Sequence, residues 1–213
     1  MILDHTNEHY IESKSRLGAD RYNGALYYSM EIVQNIIPMV DTDRNWVTVN
    51  VVGMAFDHSV VFVHNNQHPG IYEWLQAYDD VLLVCGVPST VDKVSYIHQA
   101  VYLPLSVDVE YVQSFRRKKD RDVAFVGRRA KADGFFKTGE VPAVSGMPRE
   151  KLLAEVARYK RVYAVGRCAI EAKVLGCEVL PYDPRYPDPS VWQIVDNREA
   201  AAVLQGILDG IDR

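Results

Sequence analysis

Short, uninterrupted runs of apolar residues recur along the 213-residue chain and alternate with segments of helical spacing. The clearest runs are VLLVC at Val81–Cys85, DVAFVG at Asp122–Gly127 and RVYAV at Arg161–Val165. A strand with one solvent-exposed face would alternate apolar and polar residues, whereas these runs are apolar at successive positions. They therefore predict parallel strands that are buried on both faces, with helices as the crossovers between them.

The same alternation predicts the remaining elements. Further strands are expected at Trp46–Val52, Ser59–His64, Ala100–Leu105 and Glu178–Pro181. Helices are expected at Asn23–Ile37, Ile71–Tyr78, Ser89–Ile97, Val109–Phe115, Pro148–Tyr159, Cys168–Leu175 and Arg198–Ile211. The predicted fold is α/β, with two small Rossmann-like lobes built on parallel sheets. The basic segment at 116–121 divides the chain into predicted domains 1–115 and 116–213.

The charge balance argues against a nucleic-acid partner. The chain carries 24 basic and 28 acidic side chains, a formal net charge of −4, whereas nucleic-acid binders show a basic excess or a basic stripe. The densest basic run is Arg116–Lys119. We interpret it as a solvated loop between elements, with a patch for phosphate or for an acidic partner as the alternative.

Cysteine usage and the N-terminal residues predict the compartment. Cys85, Cys168 and Cys177 lie in apolar segments and form no CxxC pair, which favours reduced, buried thiols. The first residues show no basic region followed by an apolar run, and no apolar stretch approaches about 18 residues. We therefore expect a cytoplasmic protein with neither a signal peptide nor a transmembrane helix.

Two predicted strands run directly into a glycine and an arginine. The first turn is Gly127-Arg128, with Lys131 three residues on, and the second is Gly166-Arg167. Glycine lets a ligand approach the backbone closely, and arginine can grip a phosphate through two parallel donors. Helix N-termini add backbone amides that favour anions. The pair of turns predicts a diphosphate pocket, and two plain strand-to-helix turns with surface arginines are the alternative.

Two further polar residues are candidates for chemistry. Glu171 lies one turn into a predicted helix, where its carboxylate could accept both hydroxyls of a ribose or could simply offset the helix dipole. His64 ends a predicted strand and could act as a base on an acceptor hydroxyl, or belong to a polar turn that satisfies its own backbone. The histidines lack the spacing of a zinc site, so no metal is expected.

Taken in order, four segments resemble the glycosyltransferases of the GT-B fold, in the retaining, nucleotide-sugar-dependent branch typified by glycosyltransferase family 4. The linker motif is similar to Leu103–Asp108, and the following strand and Gly-Arg turn are similar to Ala124–Arg128. A helix-to-strand segment matches Gly146–Tyr163, and the EA-x-x-x-G-x-x-x-L pattern occurs at Glu171–Leu180. The last helix of the family resembles 197–209. The match is shortened and divergent, and its order carries the resemblance.

The resemblance implies a function and a set of roles. A sugar would pass from a nucleotide-sugar, which is a substrate and not a cofactor, to an acceptor that the sequence does not identify. The residues implied at the donor are Gly127, Arg128, Lys131, Gly166, Arg167 and Glu171. Arg128 and Lys131 would neutralise the departing diphosphate in place of a metal, Glu171 would hold the ribose, and His64 would serve the acceptor.

A non-catalytic binding or assembly module is the alternative, because a fold does not imply a function. The family carries two glutamates separated by seven residues, and Glu171 matches the second of them. The first would fall on Tyr163, which is not a carboxylate. The second lobe is also short, which could leave apolar surface that a homodimer would cover.

Overall fold

The structure is a computed structural model, and it describes residues 1–3, 24–48, 54–63, 69–127, 135–137, 140–181 and 183–212. It confirms the predicted fold class: the described chain is α/β, with two parallel sheets consistent with two small Rossmann-like lobes. Within the described residues, 1–3, 25–48, 54–63, 69–105 and 197–212 form the first compact unit, and 106–127, 135–137, 140–181 and 183–196 form the second. Packing alone does not show where a chain divides into independently folding domains. The predicted bounds 1–115 and 116–213 therefore stay a prediction.

The described strands and helices alternate along the chain. The strands are β1 (Ile2–Leu3), β2 (Asn45–Val47), β3 (Ser59–Val63), β4 (Val81–Cys85), β5 (Gln99–Tyr102), β6 (Arg121–Val126), β7 (Ala143–Val144), β8 (Tyr159–Tyr163) and β9 (Glu178–Leu180). The α-helices are α1 (Gly24–Glu31), α2 (Pro88–Val94), α3 (Val109–Gln113), α4 (Arg149–Val156), α5 (Arg167–Val174) and α6 (Asn197–Ile211). Three 3₁₀ segments cover Ile37–Met39, Pro69–Ala77 and Pro189–Val191.

The first sheet is parallel throughout and has the strand order β1-β2-β3-β4-β5. All five residues of β3 and all five of β4 are buried, as expected for strands covered on both faces. Val61 and Leu83 point into one core, together with Leu75 and Val94 from the flanking segments. On the other face of the sheet the ring of Trp46 stacks on Phe62, with 6.2 Å between centroids.

The first long helix changes its winding before it ends. The expected helix Asn23–Ile37 is α-helical as α1, continues as a π-helical turn at Ile32–Ile36 and closes as the 3₁₀ segment. The amide of Ile37 bonds to the carbonyl of Ile32, five residues back. Pro38 follows with no amide to donate, so a regular helix cannot continue. The π turn packs against α6, which buries a stripe at Ala200, Ala201, Leu204 and Leu208.

The second sheet is also parallel, with the order β7-β6-β8-β9. Its core contains Ala124 and Phe125 from β6 and Val162 from β8. Leu153 of α4 and Ile170 of α5 are buried as well. The sequence pattern misplaced β8 by two residues and missed the two-residue strands β1 and β7, which are too short to show a pattern.

The basic run Arg116–Lys119 meets the end of α5. Arg116 Nε donates to the carbonyl of Val174 at 2.6 Å, and Lys119 Nζ donates to the carbonyl of Leu175 at 2.9 Å. These carbonyls lie in the last turn of the helix, where cations satisfy orphan acceptors and complement the dipole. Half of the run therefore caps a helix, which goes beyond the solvated loop that the sequence suggests.

The cysteines and the helices bear on the expected environment. Cys85 and Cys177 are buried free thiols, and Cys168 is half-buried. Burial raises the pKa of Cys85 to about 12, which keeps this thiol protonated and unreactive. Within the described part of the chain, no helix is long and apolar enough to cross a membrane.

Candidate functional site

The second sheet contains a topological switch point. From β6 the chain crosses to β7 on one side, then enters β8 on the other side of β6 and continues outward to β9. The connections that follow β6 and β8 therefore leave the sheet in opposite directions. In open parallel sheets such a divergence opens a crevice beyond the carboxyl ends of the strands, and ligands bind there. The candidate site is the carboxyl edge of β6 and β8.

Both strands end in turns that need glycine. Gly127 follows β6 with φ of 149°, and Gly166 lies ahead of α5 with φ of 59° and ψ of −138°. L-residues rarely adopt these angles. A Cβ added at Gly127 would also come within 3.3 Å of the Phe125 ring. The chain therefore keeps bare backbone at the place where a ligand would approach the sheet.

Three charged side chains converge beside these turns. Arg149 Nη2 lies 3.1 Å from Glu171 Oε1, and Arg167 Nε lies 3.0 Å from the same oxygen. Arg167 and Glu171 are four residues apart on α5, so they share one helix face. All three side chains are deeply buried, with 11%, 4% and 2% exposure for Arg149, Arg167 and Glu171. Two guanidinium groups and one carboxylate thus form a buried cluster, which we call the Arg-Glu-Arg cluster.

The two arginines occupy helix positions that electrostatics disfavours. Arg149 is the first residue of α4, and Arg167 is the first residue of α5. The N-terminus of a helix carries partial positive charge, so it favours anions and repels cations. Two buried cations at two such positions produce a region of positive potential, which the single carboxylate of Glu171 neutralises only in part. An arrangement of this kind is suited to a negatively charged ligand.

One aromatic side chain of α3 packs against the cluster. The guanidinium of Arg149 lies over the ring of Tyr111, 5.1 Å from its centroid. This geometry is a cation–π contact, which fixes the plane of the guanidinium. Asp108 caps α3 by accepting a hydrogen bond from the Tyr111 amide at 2.8 Å. Burial raises the pKa of the Tyr111 phenol, so the ring stays neutral beside the arginine.

A second aromatic group covers the ends of the two strands. The ring of Phe136 lies 4.8 Å from the ring of Tyr163, the last residue of β8. It also lies 6.2 Å from Phe125, which pairs with Tyr163 across the sheet. Flat rings at this edge offer a surface on which a planar or ring-shaped ligand can stack.

The segment after β9 is tied to α5 by a lysine. Lys173 Nζ donates to the carbonyls of Pro189 and Trp192, each at 2.6 Å. Burial lowers the pKa of this ammonium. These two bonds attach the 3₁₀ segment Pro189–Val191 and the residue after it to α5.

The described residues include four of the seven residues that the sequence nominated. Gly127 and Gly166 lie at the carboxyl ends of neighbouring strands, and Arg167 and Glu171 lie on the helix that follows β8. The structure brings Arg167 and Glu171 into direct contact. The remaining three, His64, Arg128 and Lys131, lie outside the described residues.

Sequence reasoning missed Arg149 and Tyr111. Arg149 is 22 positions away from Glu171 in the chain, so no local spacing relates the two. One signal was present: Arg149 directly follows Pro148 at a predicted helix start, and an arginine there opposes the helix dipole. Such a residue indicates an anionic partner elsewhere in the fold.

A different polar group lies at the amino edge of the first sheet. His58 Nδ1 lies 2.5 Å from Asp80 Oδ2, and His58 Nε2 lies 3.0 Å from Asp43 Oδ1. Arg44 bonds to Asp80 and to Asp212 at 3.1 and 2.7 Å. These residues precede β2, β3 and β4 or end α6, so they join loops and a helix end. We call them the amino-edge network, and they lie at the edge where ligands seldom bind.

Comparison with known proteins assigns the chain to no family. No family model matches the chain. No curated protein matches it either. Among the described residues there is also no group of three or more histidine, cysteine, aspartate or glutamate side chains that could hold a metal ion.

Proposed function

We propose that the protein is a glycosyltransferase that binds a nucleotide-sugar at the carboxyl edge of β6 and β8. The observation that carries the proposal is the Arg-Glu-Arg cluster at the switch point of the second sheet. Arg149 and Arg167 both donate there to Glu171 Oε1, at 3.1 and 3.0 Å. The order of motifs that resembles the retaining GT-B enzymes supports the same assignment.

The charge of the cluster fits a diphosphate. Arg149 and Arg167 each present a planar fork of donors, which matches the oxygens of a phosphate. Both arginines are the first residues of their helices, and the amino-terminal amides of α4 and α5 would add to the attraction. Glu171 keeps both guanidinium groups in place. The ribose contact that the resemblance implies for Glu171 remains a further proposal.

The donor site would be completed by residues on both sides of the cluster. Gly127 and Gly166 would let the donor approach the backbone, and the rings of Phe136 and Tyr163 would stack on its base or sugar. Arg128 and Lys131 follow Gly127 in the chain, and in this proposal they contact the diphosphate directly.

The chemistry proposed is transfer of the sugar from diphosphate to an acceptor oxygen. The bond between the anomeric carbon and the diphosphate oxygen breaks, and a bond to the acceptor oxygen forms. Negative charge builds on the departing diphosphate, where fixed cations stabilise it without reorganisation. The acceptor hydroxyl gives up its proton, and we assign its acceptance to His64 as general base.

Thermal unfolding with a panel of nucleotides and nucleotide-sugars at millimolar concentration tests the donor site. A ligand at about 100 times its dissociation constant should add roughly 2.7 kcal/mol to the free energy of unfolding. We expect the nucleoside diphosphate and the nucleotide-sugars of one base to raise Tm. The corresponding nucleoside and the free sugar should leave Tm unchanged. Absence of any shift across the panel would contradict the proposal.

Two arginine variants make the test specific. Arg149→Lys keeps the charge and loses the fork, so we expect a smaller Tm shift with the same ligand. Arg161→Lys is the matched control, because Arg161 is exposed on β8 and pairs only with Asp122 among the contacts described. Release of nucleoside diphosphate in the presence of an acceptor would then support transfer. Binding with no release under any acceptor would favour the non-catalytic module.

A further inference from the structure

An open groove of about 730 Å³ runs along one side of α4 in the second unit. It extends from the amino end of β6 to the edge strand β7, whereas the candidate site lies at the carboxyl ends of β6 and β8. Its lining residues are Arg117, Asp120, Arg121, Pro142, Ala143, Val144, Met147, Lys151, Ala154, Glu155, Arg158 and Tyr159. This volume falls within the range of sites that bind a drug-sized ligand or a short peptide.

The groove is basic on a chain that is acidic overall. Four of its side chains are basic and two are acidic, while the whole chain has a net charge of −4. The two acids are already paired: Glu155 binds Arg121 at 2.5 Å and Arg158 at 3.3 Å, and Asp120 binds Arg158 at 3.0 Å. The excess positive charge therefore belongs to the two remaining cations.

These remaining cations are Arg117 and Lys151. Both are exposed, and no carboxylate lies within ion-pair distance of either one among the described residues. Of the two acids in the groove lining, Glu155 is paired with two arginines and Asp120 with one. An anionic partner would gain two ion pairs here without breaking an existing one.

One wall of the groove is an unpaired strand edge. β7 pairs only with β6 in the described sheet, and the amides of Phe125 and Gly127 donate to the carbonyls of Pro142 and Val144. Backbone groups of successive strand residues point to opposite edges, so the N–H and C=O of Ala143 point away from β6. Ala143 is exposed and lines the groove, and such an edge can accept a further strand.

We propose that this groove binds an extended, acidic segment of a partner protein, which adds as a strand beside β7. The backbone of the segment bonds to Ala143, and its acidic side chains pair with Arg117 and Lys151. Alternate side chains rest on the apolar part of the lining, which consists of Pro142, Val144, Met147 and Ala154. This interaction is independent of nucleotide-sugar binding, and it would hold equally for an enzyme and for a non-catalytic module.

Fluorescence anisotropy with a labelled peptide of alternating valine and glutamate tests the docking groove. A strand of this sequence places every acid on one face. We expect this peptide to bind the full chain, and its binding to weaken as the salt concentration is raised. It should bind much more tightly than the matched peptide of valine and lysine. Equal binding of the two peptides, or no binding of the acidic one, would overturn the proposal.

Three variants separate charge from backbone pairing. Lys151→Glu should weaken binding of the acidic peptide about tenfold, equivalent to about 1.4 kcal/mol. Lys160 is an exposed lysine on β8 outside the groove, so Lys160→Glu should leave binding unchanged. Ala143→Pro removes the outward N–H and should also weaken binding. Unchanged urea midpoints would show that the variants fold. Equal loss from Lys151→Glu and Lys160→Glu, no loss from Ala143→Pro, or tighter binding of a single-stranded RNA at the same groove would sink the assignment.

Discussion

The two sheets are both parallel, yet they differ in where the chain turns back. In the first sheet the strands follow one another in chain order from the edge strand β1 to the edge strand β5, so successive connections run in one direction. In the second, β6 is flanked by β7 and β8, and the direction reverses. Only the second sheet therefore has a switch point in its described part, and the Arg-Glu-Arg cluster lies there.

The two sheets also differ in how they use charge. In the amino-edge network of the first sheet only Arg44 is buried, and its partners are accessible, with His58 41% and Asp80 54% exposed. The cluster of the second sheet is almost fully buried. Exposed ion pairs contribute little to stability and are easily replaced, whereas buried ones carry a large desolvation penalty. A penalty of this kind at a carboxyl edge is a reason to assign a function to the second sheet.

The largest expected effect comes from removing the carboxylate of the cluster. Glu171→Ala leaves two buried guanidinium groups without their shared acceptor, which should lower the free energy of unfolding by about 3–5 kcal/mol. Urea denaturation followed by fluorescence measures it. Glu150→Ala is the matched control, because Glu150 is an exposed acid in the first turn of α4 and should cost at most about 1 kcal/mol.

This pair of variants can break the comparison between the sheets. If Glu171→Ala were no worse than Glu150→Ala, the buried cluster would be energetically equivalent to a surface charge. The contrast in burial would then give no reason to place function in the second sheet.

A smaller effect is expected from the backbone at the site. Gly166→Ala forces an L-residue into φ of 59° and ψ of −138°, which should cost about 1–3 kcal/mol. Gly206 lies inside α6 with no atom within 4 Å of an added Cβ, so Gly206→Ala should stabilise by up to about 1 kcal/mol. Changes of opposite sign in the free energy of unfolding of the two variants would show that the turn at Gly166 needs glycine and the helix at Gly206 does not. A neutral Gly166→Ala would show that the turn tolerates a side chain.

The smallest expected effect is a pH dependence of the first sheet. Hydrogen bonds from the His58 ring to the carboxylates of Asp43 and Asp80 raise the pKa of His58, and the same bonds lower the pKa of both aspartates. The histidine contribution is complete below about pH 6.5 and is lost as pH rises through its raised pKa. The aspartate contributions are complete above about pH 4 and are lost as pH falls through their lowered pKa.

Stability from the amino-edge network should therefore be greatest between about pH 4 and pH 6.5. The asparagine variant His58→Asn tolerates the positive φ of 52° at this position because asparagine enters that region readily. We expect it to lose the pH optimum while shifting Tm by less than about 4 °C. Thermal unfolding from pH 3 to pH 9 measures this, and an unchanged pH profile in the variant would contradict it.

Much of the fold was predictable because its signal is local. The runs at Val81–Cys85 and Asp122–Gly127 were correctly interpreted as parallel strands. All five residues of the first are buried, whereas only the last three residues of β6 are. Boundaries were less accurate: the predicted strand Trp46–Val52 is observed as Asn45–Val47, with 49–53 outside the described residues. The expected helix Ile71–Tyr78 is a 3₁₀ segment.

The candidate site was predictable only in part. Gly127, Gly166 and Arg167 were nominated because they closely follow strand ends, and parallel strands direct their carboxyl ends to one edge. Glu171 was nominated from its position one turn into the next helix, and the structure brings it into contact with Arg167. Arg149 was not found, because its relation to Glu171 exists only in three dimensions. The roles assigned to all seven nominated residues stay predictions.

By itself, the sequence determined the parallel, two-sheet α/β architecture and the glycines at the strand ends, since burial pattern and backbone freedom are local properties. Only the tertiary structure decided the strand order, the convergence of Arg149 and Arg167 on Glu171, and the groove beside β7. Strand order depends on how each crossover packs, and buried ion pairs depend on which helix ends face one another. Those outcomes are set by packing between segments that are distant in the sequence, and no local sequence pattern shows which distant segments will pack together.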